Sequence, residues 1–385
     1  MTRTVQRRRV VITGMGTVNA ATAGGTPALA GALEGAQSPI RPVRAFDVSG
    51  LPSRLAAEVD EAVLAGLVDR DAARRLSRIC RLTLAACRLA VGDARIDGGP
   101  ALGLVVGTEH GDFRSSEEFA AGFLRRGVTG LSPMIFPGTV MNSMGAVAAI
   151  EIGAKGPTVT LNQATVAGDL AIARAAVLIR SGQADAVVAG GVDEICPPVY
   201  RRLAEMAVLS PMGGALPEGC RPFAADHNGP VLGEGATFLV LEDLDIAAAR
   251  GATIHAEVLG ALWGNLPVAP HTAPRSRRDR RSPVLRLLAR LGLPPEGLAA
   301  CYGAGNGDPA LDDWEMALLA ADLPAAPGLS PPRSLARLFG QHGGLGALRV
   351  AAAALEGRRG SAAPTLVHGL ARGGCRTAIV VSRPA

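Results

Sequence analysis

Aromatic side chains are scarce in this sequence: Phe, Trp and Tyr make up 3% of 385 residues, although 48% are hydrophobic. A core built almost without rings must be filled by Ala, Val and Leu. That suits Ala-packed helices on a sheet and excludes a fibrous or disordered chain. The shortage also argues against nucleic acid as a partner. Arginine clusters at Arg7, Arg8 and Arg9 and at Arg275, Arg277, Arg278, Arg280 and Arg281 lie within a modest net charge of +5. Neither is interleaved with rings that could stack on bases. Both are expected on solvated loops, and a basic face of this kind would at most draw an acidic partner protein.

Other absences narrow the field further. The six cysteines, at 80, 87, 196, 220, 301 and 375, form no Cys-x-x-Cys pair and no other metal-site spacing. Most lie in apolar sequence, as buried reduced thiols do, so no metal is expected. No apolar run is long enough for a bilayer, and no secretory leader pattern is present; a cytoplasmic location without membrane contact is expected. The run Gly14-Met15-Gly16-Thr17-Val18-Asn19 lacks the third glycine of a dinucleotide fingerprint. No acidic residue follows at a strand end about twenty positions on. The glycines are read as turn formers, and no cofactor is expected.

What is present is an alternation of short apolar runs and Ala-rich stretches. Val10–Thr13, Leu102–Gly107, Val159–Leu161, Ala186–Gly191 and Thr237–Leu241 read as strands, with helices over Asp71–Ile96 and Asp169–Ser181. After Asp243 the pattern begins again. Ile254–Leu259, Leu298–Tyr302 and Thr377–Ser382 read as strands, and Asp312–Ala321 and Gly344–Leu355 as helices. Buried strands alternating with helices predict an α/β protein with a mostly parallel sheet covered on both faces. Two halves are expected, 1–245 and 246–385. The Pro- and Arg-rich stretch Trp263–Arg281 and the connection Pro324–Pro332 read as surface loops.

Several segments, in order, resemble the β-ketoacyl synthases of fatty-acid and polyketide synthesis. They are Val10-Val11-Ile12-Thr13-Gly14-Met15-Gly16; Ile40-Arg41-Pro42 with Phe46-Asp47 and Leu51-Pro52-Ser53-Arg54; Cys220-Arg221-Pro222-Phe223 with Asp226; Val231-Leu232-Gly233-Glu234-Gly235-Ala236; His271-Thr272-Ala273-Pro274; and Gly373-Gly374 before the last strand. The likeness spans about residues 9 to 382 and implies a thiolase fold, with two similar βαβαβ-type halves in five layers, αβαβα. A ketosynthase of this kind uses a cysteine at the start of a buried helix, where the dipole and backbone N–H groups stabilise thiolate and oxyanion. Two histidines assist decarboxylation of the malonyl extender, supported by a lysine.

None of these residues stands where the resemblance puts it. Between Gly156-Pro157 and Gly168 the cysteine's place falls on Thr165, whose hydroxyl needs an adjacent base to become a nucleophile. The first histidine's place falls on Tyr302 if the pair Gly303 and Gly305 is the anchor, which is the preferred reading. It falls on Ala304 if Asp312 and Glu315 are the anchor. The second falls on Gln341, with Ala336 for the lysine; His342 is one position off and could enter the site by a local slip. Arg372 stands where the family has an aromatic gate.

A catalytically empty copy of a dimeric enzyme can still supply half of the dimer and part of its tunnel wall. The resemblance therefore implies the chain-length factor, or ketosynthase β subunit, of a type II polyketide synthase. Its partners would be an active ketosynthase α subunit and an acyl carrier protein. The segment Ser132–Asn142 would face the partner's acyl tunnel, with Ile135, Phe136 and Thr139 as the shaping residues and room for an elongated product such as a polyene. The rival reading is an enzyme with altered chemistry, a malonyl-carrier-protein decarboxylase or an acyltransferase using Thr165 with His342 or His110 as base.

Overall fold

The computed structural model describes residues 8–35, 37–214, 216–269, 272–273, 282–329, 331–359 and 363–384. Arg7, His271, Pro274 and the cluster Arg275–Arg281 lie outside the described residues. Arg8 and Arg9 are not merely solvated: Arg8 pairs with Asp185 at 2.7 Å and Arg9 with Glu257 at 2.5 Å.

Among the described residues ten strands form one sheet, nine of them on a single path and Ala23–Gly24 beside the first. In chain order the nine are β1 (Val10–Asn19), β2 (Leu102–Thr108), β3 (Thr158–Asn162), β4 (Ala186–Asp193), β5 (Gly235–Asp243), β6 (Ala256–Asn265), β7 (Ala300–Tyr302), β8 (Thr365–Leu370) and β9 (Cys375–Ser382). Their spatial order is β7-β8-β9-β6-β1-β5-β4-β2-β3. From β1 outward the pairings run antiparallel to β5, antiparallel to β4, then parallel to β2 and β3. From β6 outward they run antiparallel to β9, antiparallel to β8, then parallel to β7. The same sequence of senses appears on both sides of the β1–β6 seam, which is three residue pairs long, Val10–Ile12 against Ala256–Val258.

The main helices are α1 (Arg78–Ala94), α2 (Phe113–Arg126), α3 (Ser143–Glu151), α4 (Ala167–Arg180), α5 (Pro283–Leu291), α6 (Pro309–Asp322) and α7 (Leu345–Arg359). Successive strand residues point to opposite faces. Leu104, Val106 and Val188 pack under α1 and α3, whereas Val105, Val187 and Ala189 face α4 and α7. On the far side Leu366, Ala378 and Val380 pack under α5 and α6, giving the layer order αβαβα. Helices α4 and α7 are confined between sheet halves, which explains the alanine-rich, ring-poor composition. A Cβ on Gly168 of α4 would stand 2.6 Å from the Gly343 carbonyl oxygen.

Three expectations need correction. The sheet is not mostly parallel: of the eight pairings along its path only β7–β8, β4–β2 and β2–β3 are parallel, because β5, β1, β6 and β9 meet as antiparallel neighbours at its centre. Gly14 and Gly16 form no turn; they sit inside β1, which runs on to Asn19. A Cβ on Gly16 would stand 2.2 Å from the Ala86 carbonyl oxygen and one on Gly14 would stand 2.6 Å from that of Ala90. They are glycines because α1 lies directly on the strand. The helix expected over Asp71–Ile96 is broken before Arg78, where Ser77 is extended (φ −63°, ψ 163°). The new start aims Arg78 at Glu234, with Nε donating over 3.0 Å. Glu234 also accepts from the backbone N–H of Val59 and of Ile195. A three-stranded patch of Arg41–Pro42, Leu55–Ala57 and Leu232–Gly233 joins these family-like loops.

Candidate active-site cavity

The loops leaving the C-terminal ends of β2, β3, β7 and β8 surround a cavity of about 780 Å³. From β3 the chain passes through Gln163, Ala164 and Thr165 and turns into α4 at Ala167. Thr165 makes that turn with φ +57°, an uncommon state for a β-branched residue that stores of order 1–3 kcal/mol of strain. Its hydroxyl donates to the Leu370 carbonyl at the end of β8 over 2.8 Å. A carbonyl cannot take that proton away, so the hydroxyl is bonded but not activated.

Facing Thr165 across the cavity are Gln341, Asn306, Asp308 and Arg372, with Glu109 and His110 from the loop after β2. Gln341 follows the short helical turn Ala336–Phe339; its Nε2 donates to Glu109 Oε1 over 2.6 Å and its Oε1 accepts from Asn306 Nδ2 over 3.4 Å. Arg372 grips Asp308 with both Nε (2.6 Å) and Nη2 (2.7 Å). Burial, and then the nearby Asp193 charge, push the Glu109 carboxyl up to about 7. Asp193 itself is occupied, accepting from the Thr108 hydroxyl and from the backbone N–H groups of Glu109, His110 and Gly343.

The predicted site residues therefore separate. Thr165 and Gln341 share the cavity. Tyr302, the preferred place for the first histidine, does not line it; its ring lies 5.9 Å from the Arg333 guanidinium, beside Leu33 and Leu335. Ala304 offers only a methyl group, packed with Leu311 and Trp314, while its N–H donates to Glu315. His342 does not slip in. It is buried behind the cavity wall, its Nδ1 accepts from the Gly344 N–H over 3.0 Å, and burial lowers its pKa to about 3, leaving a neutral ring. His110 does line the cavity.

Sequence reasoning missed Glu109, Asn306 and Asp308. Asn306 and Asp308 lay in the turn already singled out for its glycines. Glu109 carried no local signal, because Gln341, which holds it, is 232 positions away. Among the described residues no cluster of three or more His, Cys, Asp or Glu is placed to hold a metal, and no helix is long and apolar enough to cross a membrane.

Ile135, Phe136 and Thr139 lie outside the cavity. They belong to a surface turn over α2, where the Thr139 hydroxyl donates to the Phe136 carbonyl and the Phe136 ring stands 5.7 Å from that of Phe119. Around them is an unusually apolar surface. Met134 is 88% exposed, Leu124 82%, Ile150 80% and Val128 76%. Helix α3 packs against β2 and β3, and β3 is an edge strand paired, among the described residues, with β2 alone.

The family pattern described as β-ketoacyl synthase, N-terminal domain, matches residues 7–247. The chain belongs to the β-ketoacyl synthase family. A 3-oxoacyl-[acyl-carrier-protein] synthase 2 from Synechocystis is 31% identical over 317 residues, 81% of this chain and 76% of that protein. Among solved structures, the ishigamide ketosynthase/chain length factor superposes with a TM-score of 0.85 at 26% identity, covering 98% of this chain and all of that one. A β-ketoacyl synthase from Burkholderia phymatum gives 0.83 at 25%, with 98% and 100% coverage. The five-layered architecture is the thiolase-like ketosynthase fold.

Proposed function

We propose that this ketosynthase-family chain is a non-condensing chain-length-factor subunit of a type II polyketide synthase. It pairs with an active ketosynthase α subunit, receives an acyl carrier protein at the shared complex, and shapes the partner's acyl tunnel. The observation that carries this reading is the state of the nucleophile's position: a threonine hydroxyl bonded to the Leu370 carbonyl, in a cavity from which Tyr302, Ala304 and His342 are all absent. Full-length likeness to the ishigamide ketosynthase/chain length factor supports the choice of subunit. The exposed apolar face around Ile135, Phe136 and Thr139 supports a partner.

One observation favours the rival reading: His110 and Glu109 both reach the cavity that holds Thr165. An altered decarboxylase or acyltransferase would draw its base from that pair. Co-expression with a neighbouring ketosynthase and carrier protein, with mass spectrometry of the carrier-bound chains, tests the proposal. Elongated chains are expected only when both subunits are present, and Thr139→Phe is expected to shorten them. Chains formed without this subunit would remove the proposed role, and lengths unchanged by Thr139→Phe would remove Thr139 as a gate.

A further inference from the structure

The cavity, at about 780 Å³, has room for an acyl group yet has one of its own carboxylates in its wall. Glu109 leaves the end of β2, and its backbone is fixed twice, by its N–H to Asp193 and by its carbonyl accepting from Asn162 Nδ2 over 2.9 Å. The side chain is thereby aimed at Gln341, whose Nε2 meets Oε1 at 2.6 Å. On its other side lies the backbone N–H of Thr165, which favours the charged carboxylate. That N–H stands at the entry to α4, where free donors and the helix dipole favour an anion. The Gln341 amide, a donor that an acyl oxygen or a malonyl carboxylate could use, is thus already met by the protein.

We propose that Glu109 is a built-in ligand of the degenerate site: its carboxyl group stands in the cavity wall and occupies the Gln341 amide, and so closes the cavity to malonyl and other carboxylate-bearing acyl groups. A tethered ligand competes at high effective concentration, so a free carboxylate must displace it before making the same bonds. Burial and Asp193 raise the proton affinity of this carboxyl, and Arg372 of the shared cavity is already engaged by Asp308 through Nε and Nη2. The inference concerns binding by this chain and does not depend on what the partner synthesises.

The test is calorimetric titration of the full-length chain, alone and in its co-expressed complex, with sodium malonate and with a malonyl-amide analogue of pantetheine. The wild-type chain is expected to bind both weakly, and Glu109→Ala at least roughly ten-fold more tightly, about 1.4 kcal/mol. Glu109→Gln keeps the shape and an acceptor oxygen for the Gln341 amide, and is expected to stay closed like the wild type. Tight binding of malonate by the wild type overturns the proposal without any variant. A Glu109→Ala protein that folds and binds no better also overturns it, as does a Glu109→Gln protein that opens as far as Glu109→Ala, since occupancy would then not be the cause.

Discussion

Thr165 shows how far one substitution carries. A cysteine at this turn could ionise beside the helix start, whereas a hydroxyl there stays protonated and spends its proton on the Leu370 carbonyl. Thr165→Ala removes that bond, worth about 1 kcal/mol, and a β-branched side chain from a left-handed backbone, so the two effects largely offset. The chain-length role predicts an unchanged product profile from the reconstituted complex and a stability within about 1 kcal/mol of the wild type. Loss of product in mass spectrometry of the carrier-bound chains would favour the altered-enzyme reading. Thr165 was legible because Gly156-Pro157 and Gly168 bracket it on rigid elements. The first histidine's place was not, since Gly303 and Gly305 satisfy two alignments, and only the packing of Tyr302 toward Arg333 shows that its ring turns away from the cavity.

Between elements, the α4–α7 contact holds the centre of the molecule. Asp169 in the first turn of α4 accepts from Arg349 Nη2 of α7 at 2.9 and 2.7 Å, and both side chains are almost wholly buried. Gly168 and Gly346 let the helices come this close. Asp169→Ala leaves a guanidinium buried without its carboxylate and is expected to lower unfolding free energy by about 3–5 kcal/mol. Urea denaturation would show the loss, and Arg349→Met in the same chain should restore much of it, because an apolar pair of similar volume needs no compensation. The helices themselves were readable from the sequence, Asp169–Ser181 and Gly344–Leu355 against α4 and α7 as observed. The glycines of β1 were misread because a glycine signals a turn and a close helix contact alike; only the crossing of α1 over the strand decides between them.

Across the whole molecule, the four most exposed large apolar residues fall in one stretch of chain. Leu124, Val128, Met134, Phe136 and Ile150 all fall in the stretch from α2 through α3, and α3 packs against the edge strand β3, whose outer hydrogen-bonding row has no neighbour among the described residues. An open edge beside an apolar face invites pairing with another chain, and truncating the few central anchors of such an interface removes most of its free energy. A Leu124→Asp, Met134→Asp double variant places two carboxylates on that face without touching the Thr165 cavity. It is expected to lose at least roughly ten-fold in affinity for the ketosynthase partner, measured by co-purification and analytical ultracentrifugation. Leu285→Asp, on the exposed side of α5, is the matched control and should keep the complex intact. If the double variant still co-purifies in full, the partner docks elsewhere. Ile135, Phe136 and Thr139 then lose their place against its tunnel, while the closed cavity around Glu109 is unaffected.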